Sequence, residues 1–209
     1  MLASRVLVAG MLAAVAAFAQ FKAESAGAPP SDVPAPVAAA LQGEGTKVTG
    51  PDGTVCEIWL VKSMPKGAAS GEQNVTLPDV PHGSLMGIIR FSGKGGKDRR
   101  GQAIKPATYT LRYSMFPING DHQGVAPQRD FLIVSAIADD TDPAAKPAFD
   151  PLMKMSEKAL GTQHPGAISI WKADDMNQNL TQQGESDWVL QRKIGDTNLA
   201  IVVVGTASA

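Results

Sequence analysis

From Gly45 onward, short β-prone runs follow one another with turn residues between them, and only one stretch has helical spacing. That spacing excludes βαβ units, which need a helix between every pair of strands. "TKVTGPDGTVCEIWLVK" places Pro51-Asp52-Gly53 between two such runs, a hairpin signal. In its second arm Cys56, Ile58 and Leu60 share one face, and Val55, Trp59 and Val61 the other, as in a strand covered on both sides. "GSLMGIIRFSG" follows. In "TYTLRYSMF", Tyr109, Leu111, Tyr113 and Met115 alternate with Thr110, Arg112 and Ser114. "DFLIVSAIA" and "NLAIVVVGT" are nearly unbroken and predict central strands. With "AISIWK" and "DWVLQRKIG", the count comes to about eight strands.

The helical stretch is "FDPLMKMSEKALG". Asp150 reads as N-cap, Pro151 as the first helical residue and Gly161 as the stop. Phe149, Leu152, Met153, Ser156, Ala159 and Leu160 share a side interrupted only by Ser156, so the helix is expected to cover one edge or one end of the core. The fold class is therefore mainly β: an antiparallel β-sandwich, jelly-roll or immunoglobulin-like, with one covering helix. A closed barrel ranks second.

Ahead of the strands, "MLASRVLVAGMLAAVAAFAQ" has one charge, Arg5, before an apolar run ending in Ala17-Phe18-Ala19. This is the pattern of a cleaved secretory signal over residues 1–19. The run falls short of the ~20 apolar residues of a membrane span, so no transmembrane segment is expected after cleavage. Residues 20–44, with Pro29, Pro30, Pro34 and Pro36, read as an Ala/Pro-rich linker. The domain is expected over 45–206, and the protein is expected to be exported, periplasmic or secreted.

Composition narrows the partners. The net charge is −1. Without Arg5, 18 basic and 20 acidic residues leave −2. A basic surface for nucleic acid is missing from such a balance. The one cysteine, Cys56, lies in an apolar run, so an exported chain of this kind is held by its core rather than by an internal disulfide. Cys56 reads as a buried, inert thiol.

The densest chemistry is "FPINGDHQGVAPQRDF", residues 116–131. Asn119, Asp121, His122, Gln128, Arg129 and Asp130, with Arg112 on the preceding strand, are the candidate ligand-binding residues. Polar loops on rigid sheets are where binding sites are commonly built. Asn119-Gly120 is equally a turn dipeptide, and the whole loop equally a polar connection. Only one histidine and no closing acidic ligand are present, so neither a zinc nor a calcium site is expected, nor any cofactor. His82 and His164 stand beside Pro as turn residues. "GKGGKDRRG", residues 93–101, lacks the spacing of a phosphate loop and reads as a solvated hairpin tip whose Lys94, Lys97, Arg99 and Arg100 could meet an anionic surface. Glu57, inside an apolar strand, needs a cationic partner such as Arg90 or Arg112. No Gly-x-Ser-x-Gly elbow occurs and no catalytic residues are assigned.

Three segments, "GSLMGIIRF", "IKPATYTLRYSMFPINGDHQGVAPQRDFLIV" and "DWVLQRKIGDTNLAIVVVG", resemble uncharacterised exported β-sandwich proteins of environmental bacteria, a domain of unknown function. The resemblance spans most of 45–206. A looser one is to secreted β-sandwich domains with a Gly-x-Tyr-x-Leu strand, where Ala107 stands in place of that Gly. It implies an exported β fold and transfers no catalytic residue. The expected function is that of a non-catalytic exported protein binding a small molecule or an envelope component through the 117–130 loop. The alternatives are a secreted hydrolase acting on extracellular or envelope polymer, and a purely structural periplasmic protein.

Overall fold

The computed structural model describes residues 21–118, 128–176 and 179–207. It is mainly β. Ten strands form one antiparallel sheet in the order β1-β2-β3-β4-β7-β8-β9-β12-β11-β10, and β5 and β6 pair separately. The strands are β1 Lys22–Gly27, β2 Gly45–Gly50, β3 Gly53–Leu60, β4 Leu85–Phe91, β5 Gly96–Lys97, β6 Ala103–Ile104, β7 Ala107–Met115, β8 Asp130–Ala136, β9 Ala167–Lys172, β10 Leu180–Gln183, β11 Asp187–Ile194 and β12 Thr197–Val204. Strands β1 to β4 and β7 to β9 form a meander. The last three then return so that β12 lies beside β9, as in a Greek key.

The sheet curls until its two ends meet. Arg192 Nε on β11 donates to Thr46 Oγ1 on β2 at 2.7 Å, and Gln42 Nε2 donates to the Lys193 carbonyl at 2.9 Å. Phe21 lies against Trp188 with ring centroids 4.7 Å apart. Inside the curl, Val48, Ile58, Ile89, Leu111, Tyr113, Leu132, Leu190 and Ile201 belong to one core. The alternation of β7 is realised: Tyr109, Leu111, Tyr113 and Met115 face this core. The opposite face is not solvated, however. Thr108, Thr110, Arg112 and Ser114 are buried as well.

The described part of the expected 20–44 linker, residues 21–44, departs from that expectation. Lys22–Gly27 pairs with β2 in register, Lys22 opposite Thr49 and Ser25 opposite Thr46. Trp59 Nε1 donates to the Gly27 carbonyl at 2.9 Å. Residues Ala35–Ala40 form a short helix, α1. The prolines do not forbid it, because Pro34 is the N-cap and Pro36 sits in the first turn, where a missing N–H breaks no helical hydrogen bond. Val33, Val37 and Leu41 are buried in the core, so residues 22–41 belong to the folded unit.

The second helix, α2, runs Phe149–Leu160 and stops at Gly161, whose φ of 70° is left-handed. Its N-cap is Ala148 rather than Asp150, which lies in the first turn and complements the helix dipole there. The helix covers the outer face of β8 and β9 rather than a sheet edge: Leu152 and Met153 pack with Phe131, Ile133 and Ala167. Ser156, the break in the stripe, is buried because its Oγ accepts from the Gly166 N–H at 2.9 Å.

Cys56 is buried as expected. Burial, reinforced by the neighbouring Glu57 carboxylate, pushes its thiol from an ordinary 9.0 up to about 12. The folded chain therefore keeps this proton where the unfolded chain has lost it, and stability falls as pH rises through that window. The expected slope is about 1.4 kcal/mol per pH unit between pH ~9 and ~12. Urea midpoints measured at successive pH values should fall less steeply in Cys56→Ala; equal slopes in the two proteins would show that the thiol titrates normally. Glu57 stands opposite Arg90 across β3 and β4, but neither expected cation pairs with it: Arg90 Nη2 donates to Asp32 at 3.2 Å, and Arg112 to Asp140.

Candidate functional site

Arg112 and Asp130 lie on opposite faces of the β7–β8 pair, and each organises a polar cluster. Arg112 Nε and Nη2 donate to the two oxygens of Asp140, each at 2.6 Å. Nη1 donates to the carbonyls of Gly83 at 2.7 Å and Ala145 at 2.5 Å, and Nη2 also to that of Asp142 at 2.7 Å. Thr110 Oγ1 donates to the same Asp140 carboxylate at 2.5 Å. All five guanidinium N–H groups are thereby used. Arg112 binds the segment 137–147 onto the outer sheet face and has no donor left for a ligand.

Asp130 is fully buried and accepts four hydrogen bonds. Its Oδ2 receives the Thr76 N–H at 2.7 Å and the Thr76 hydroxyl at 3.1 Å. Its Oδ1 receives the Tyr113 hydroxyl at 2.7 Å and the Leu77 N–H at 3.1 Å. Burial, then the adjacent Asp130 charge and hydrogen bond, raise the Tyr113 hydroxyl above its ordinary 10. Arg129 Nε donates to the Phe116 carbonyl at 2.6 Å, and Nη1 to Glu72 Oε2 at 2.7 Å. Its carboxylate partner thus comes from the long β3–β4 connection rather than from the sheet. Gln128 Nε2 donates to the Ile170 carbonyl at 3.4 Å. The four described residues of the expected site therefore hold backbone. Asn119, Asp121 and His122 lie outside the described residues. Among the described residues no three metal-ligating side chains come together. His82 is half-buried beside Phe149, and burial lowers its pKa below the ordinary 6.5.

Where the loop leaves the sheet, Phe116, Pro117, Phe131, Met153, Glu157 and His164 line a groove of about 200 Å³. A larger cavity, about 730 Å³, opens at the end of the curled sheet. The β2–β3 turn, the segment after β4 and the end of β12 converge there. Phe21, Val55, Phe91 and Val203 form its apolar floor, and Lys94, Lys97 and Asp52 its rim. Two glycines make the aromatic floor possible. A Cβ on Gly50 would lie 2.5 Å from the Phe21 ring, and one on Gly96 would lie 2.3 Å from the Phe91 ring. Both rings rest directly on bare backbone.

The basic tip is organised rather than freely solvated. Asp98 is buried and accepts the N–H groups of Arg100 at 3.0 Å and Gln102 at 2.8 Å, and the Gln102 amide at 2.7 Å. Arg99 Nη1 donates to Asp187 on β11 at 2.7 Å. Lys94 and Lys97 remain exposed, and neither forms an ion pair among the described residues. The Gly-Lys alternation was visible in the sequence. Its aromatic floor was not, because that floor comes from residues 21, 55, 91 and 203. No family model matches the chain, and no curated protein or solved structure matches it.

Proposed function

We propose that the protein is an exported, non-catalytic β protein that binds a small ligand in the cavity at the glycine-lined end of its sheet. One observation carries this reading: a cavity of about 730 Å³ joins an apolar floor to a few charged groups at its mouth. Small-molecule sites are commonly concave, mostly apolar and of roughly 300–1,000 Å³. The described part of the 117–130 loop supports the same shift of site, since its side chains are spent on the scaffold. We read the curled sheet as a sandwich-like container, with strands β1–β4 facing β10–β12. The signal pattern of residues 1–19 supports export, and N-terminal sequencing of the exported protein is expected to start at Gln20. A start at Met1 would refute cleavage.

N-phenyl-1-naphthylamine, a neutral apolar fluorophore, tests the site. Its emission is expected to rise and saturate at one molecule per chain. Val55→Trp, which fills the floor, should abolish the rise while leaving the melt cooperative. Emission that never saturates, or that Val55→Trp leaves intact, would place binding elsewhere or nowhere.

A further inference from the structure

We infer that the ligand of this cavity is an amphiphile with one negative charge, an alkyl chain ending in a carboxylate. This rests on the reading of the cavity as a binding site and adds the class of molecule. The floor of Phe21, Val55, Phe91 and Val203 offers nothing but aromatic faces and methyl groups, so the buried part of the ligand is hydrocarbon. The charge of the mouth sets the head group. Lys94 and Lys97 stand on one short segment, and Asp52 lines the same cavity from the β2–β3 turn. Two ammonium groups against one carboxylate leave one unbalanced positive charge. A single carboxylate neutralises it, a cationic head is repelled by it, and a neutral head leaves it unmatched. Both positive groups are lysines, which act as mobile point charges rather than as a rigid fork aimed at a doubly charged phosphate. Lys97 lies between Gly96, against which the Phe91 ring rests, and the buried Asp98, so the backbone bearing it needs little ordering on binding.

The test is displacement of N-phenyl-1-naphthylamine from the full chain by ten-carbon competitors below their micelle concentrations: decanoate, decanol, decyltrimethylammonium and decyl phosphate. Decanoate is expected to compete at about tenfold lower concentration than decanol, the effect of one charge-assisted contact. The double variant Lys94→Gln/Lys97→Gln should bring decanoate down to the level of decanol when each is measured against that variant's own fluorophore affinity; both side chains are exposed, so its melt should match the wild type. Equal competition by decanoate and decanol overturns the inference, as does stronger competition by decyl phosphate or by the cation. In those cases the fluorophore still binds and the cavity reading stands. If neither the fluorophore nor, by calorimetry, decanoate binds, both readings fall together.

Discussion

Arg112→Ala is expected to lower the unfolding free energy by about 3–5 kcal/mol, the usual effect of removing one partner from a buried ion pair. Three losses combine. Asp140, itself buried, is left charged with only the Thr110 hydroxyl beside it. The carbonyls of Gly83, Ala145 and Asp142 lose their donors. The segment 137–147 then has little to hold it over the β7 face. Arg112→Met/Asp140→Leu should recover part of the loss, because no uncompensated charge remains, but not all of it, because the carbonyls stay unpaired. Urea unfolding followed by tryptophan fluorescence measures each variant. An unfolding free energy for Arg112→Ala within about 1 kcal/mol of wild type, the range of a surface pair, would mean that Arg112 does not hold this segment.

Asp130→Leu is expected to cost a similar ~3–5 kcal/mol, since it strands two backbone donors at ~1–3 kcal/mol each and leaves the Tyr113 hydroxyl only the Leu77 carbonyl, at 3.2 Å. Thr76 and Leu77 lie on the connection between β3 and β4, so Asp130 ties that part of the connection to the sheet, next to Arg129, which holds Glu72 and the Gln73 carbonyl. Asp130→Asn, which keeps one accepting oxygen, should lose roughly half as much. Hydrogen exchange gives a local reading: the Thr76 and Leu77 amides should lose protection in either variant well before the amides of β12 do. Protection retained at Thr76 and Leu77 would show that something other than Asp130 anchors them. An Asp130 placed to meet a ligand would behave in the opposite way, with small stability losses on replacement.

Much of the sheet could be read locally because its signal is local. Tyr109, Leu111, Tyr113 and Met115 carry period two within one strand, and Pro51-Asp52-Gly53 marks its own hairpin. Strand β1 could not be read that way. "KAESAG" is polar, as an edge strand is, and it becomes a strand through pairing with β2 and through the Trp59 N–H that reaches Gly27 from 32 residues away. The chemistry around the 117–130 loop was visible as residue types, but not its direction. Arg112 finds Asp140 28 residues on, and Asp130 finds Thr76 54 residues back. A sequence shows that such groups need partners; it does not show that the partners are the chain's own backbone. The burial of the outer polar row of β7 was not legible for the same reason, since Arg112 there is held by Asp140, Asp142 and Ala145, from a segment well beyond the strand.

The meeting of the sheet's two ends also orders events in time. The contacts that close the curl join residues 146 and 151 positions apart, whereas each neighbour in the meander is joined to the next strand along the chain. Pairing across so long a loop is slow compared with zipping adjacent hairpins. The early strands can therefore assemble as an open ribbon, but the sheet cannot close on itself until β12 has arrived beside β9. That strand brings Leu199, Ile201 and Val203 into the core and also bounds the cavity. A chain cut before Thr197 would leave Ile168 and Ile170 at a bare edge, a ready template for a neighbouring chain. The final strand is thus the latch of the molecule: until it is in place there is neither a finished core nor a bounded cavity.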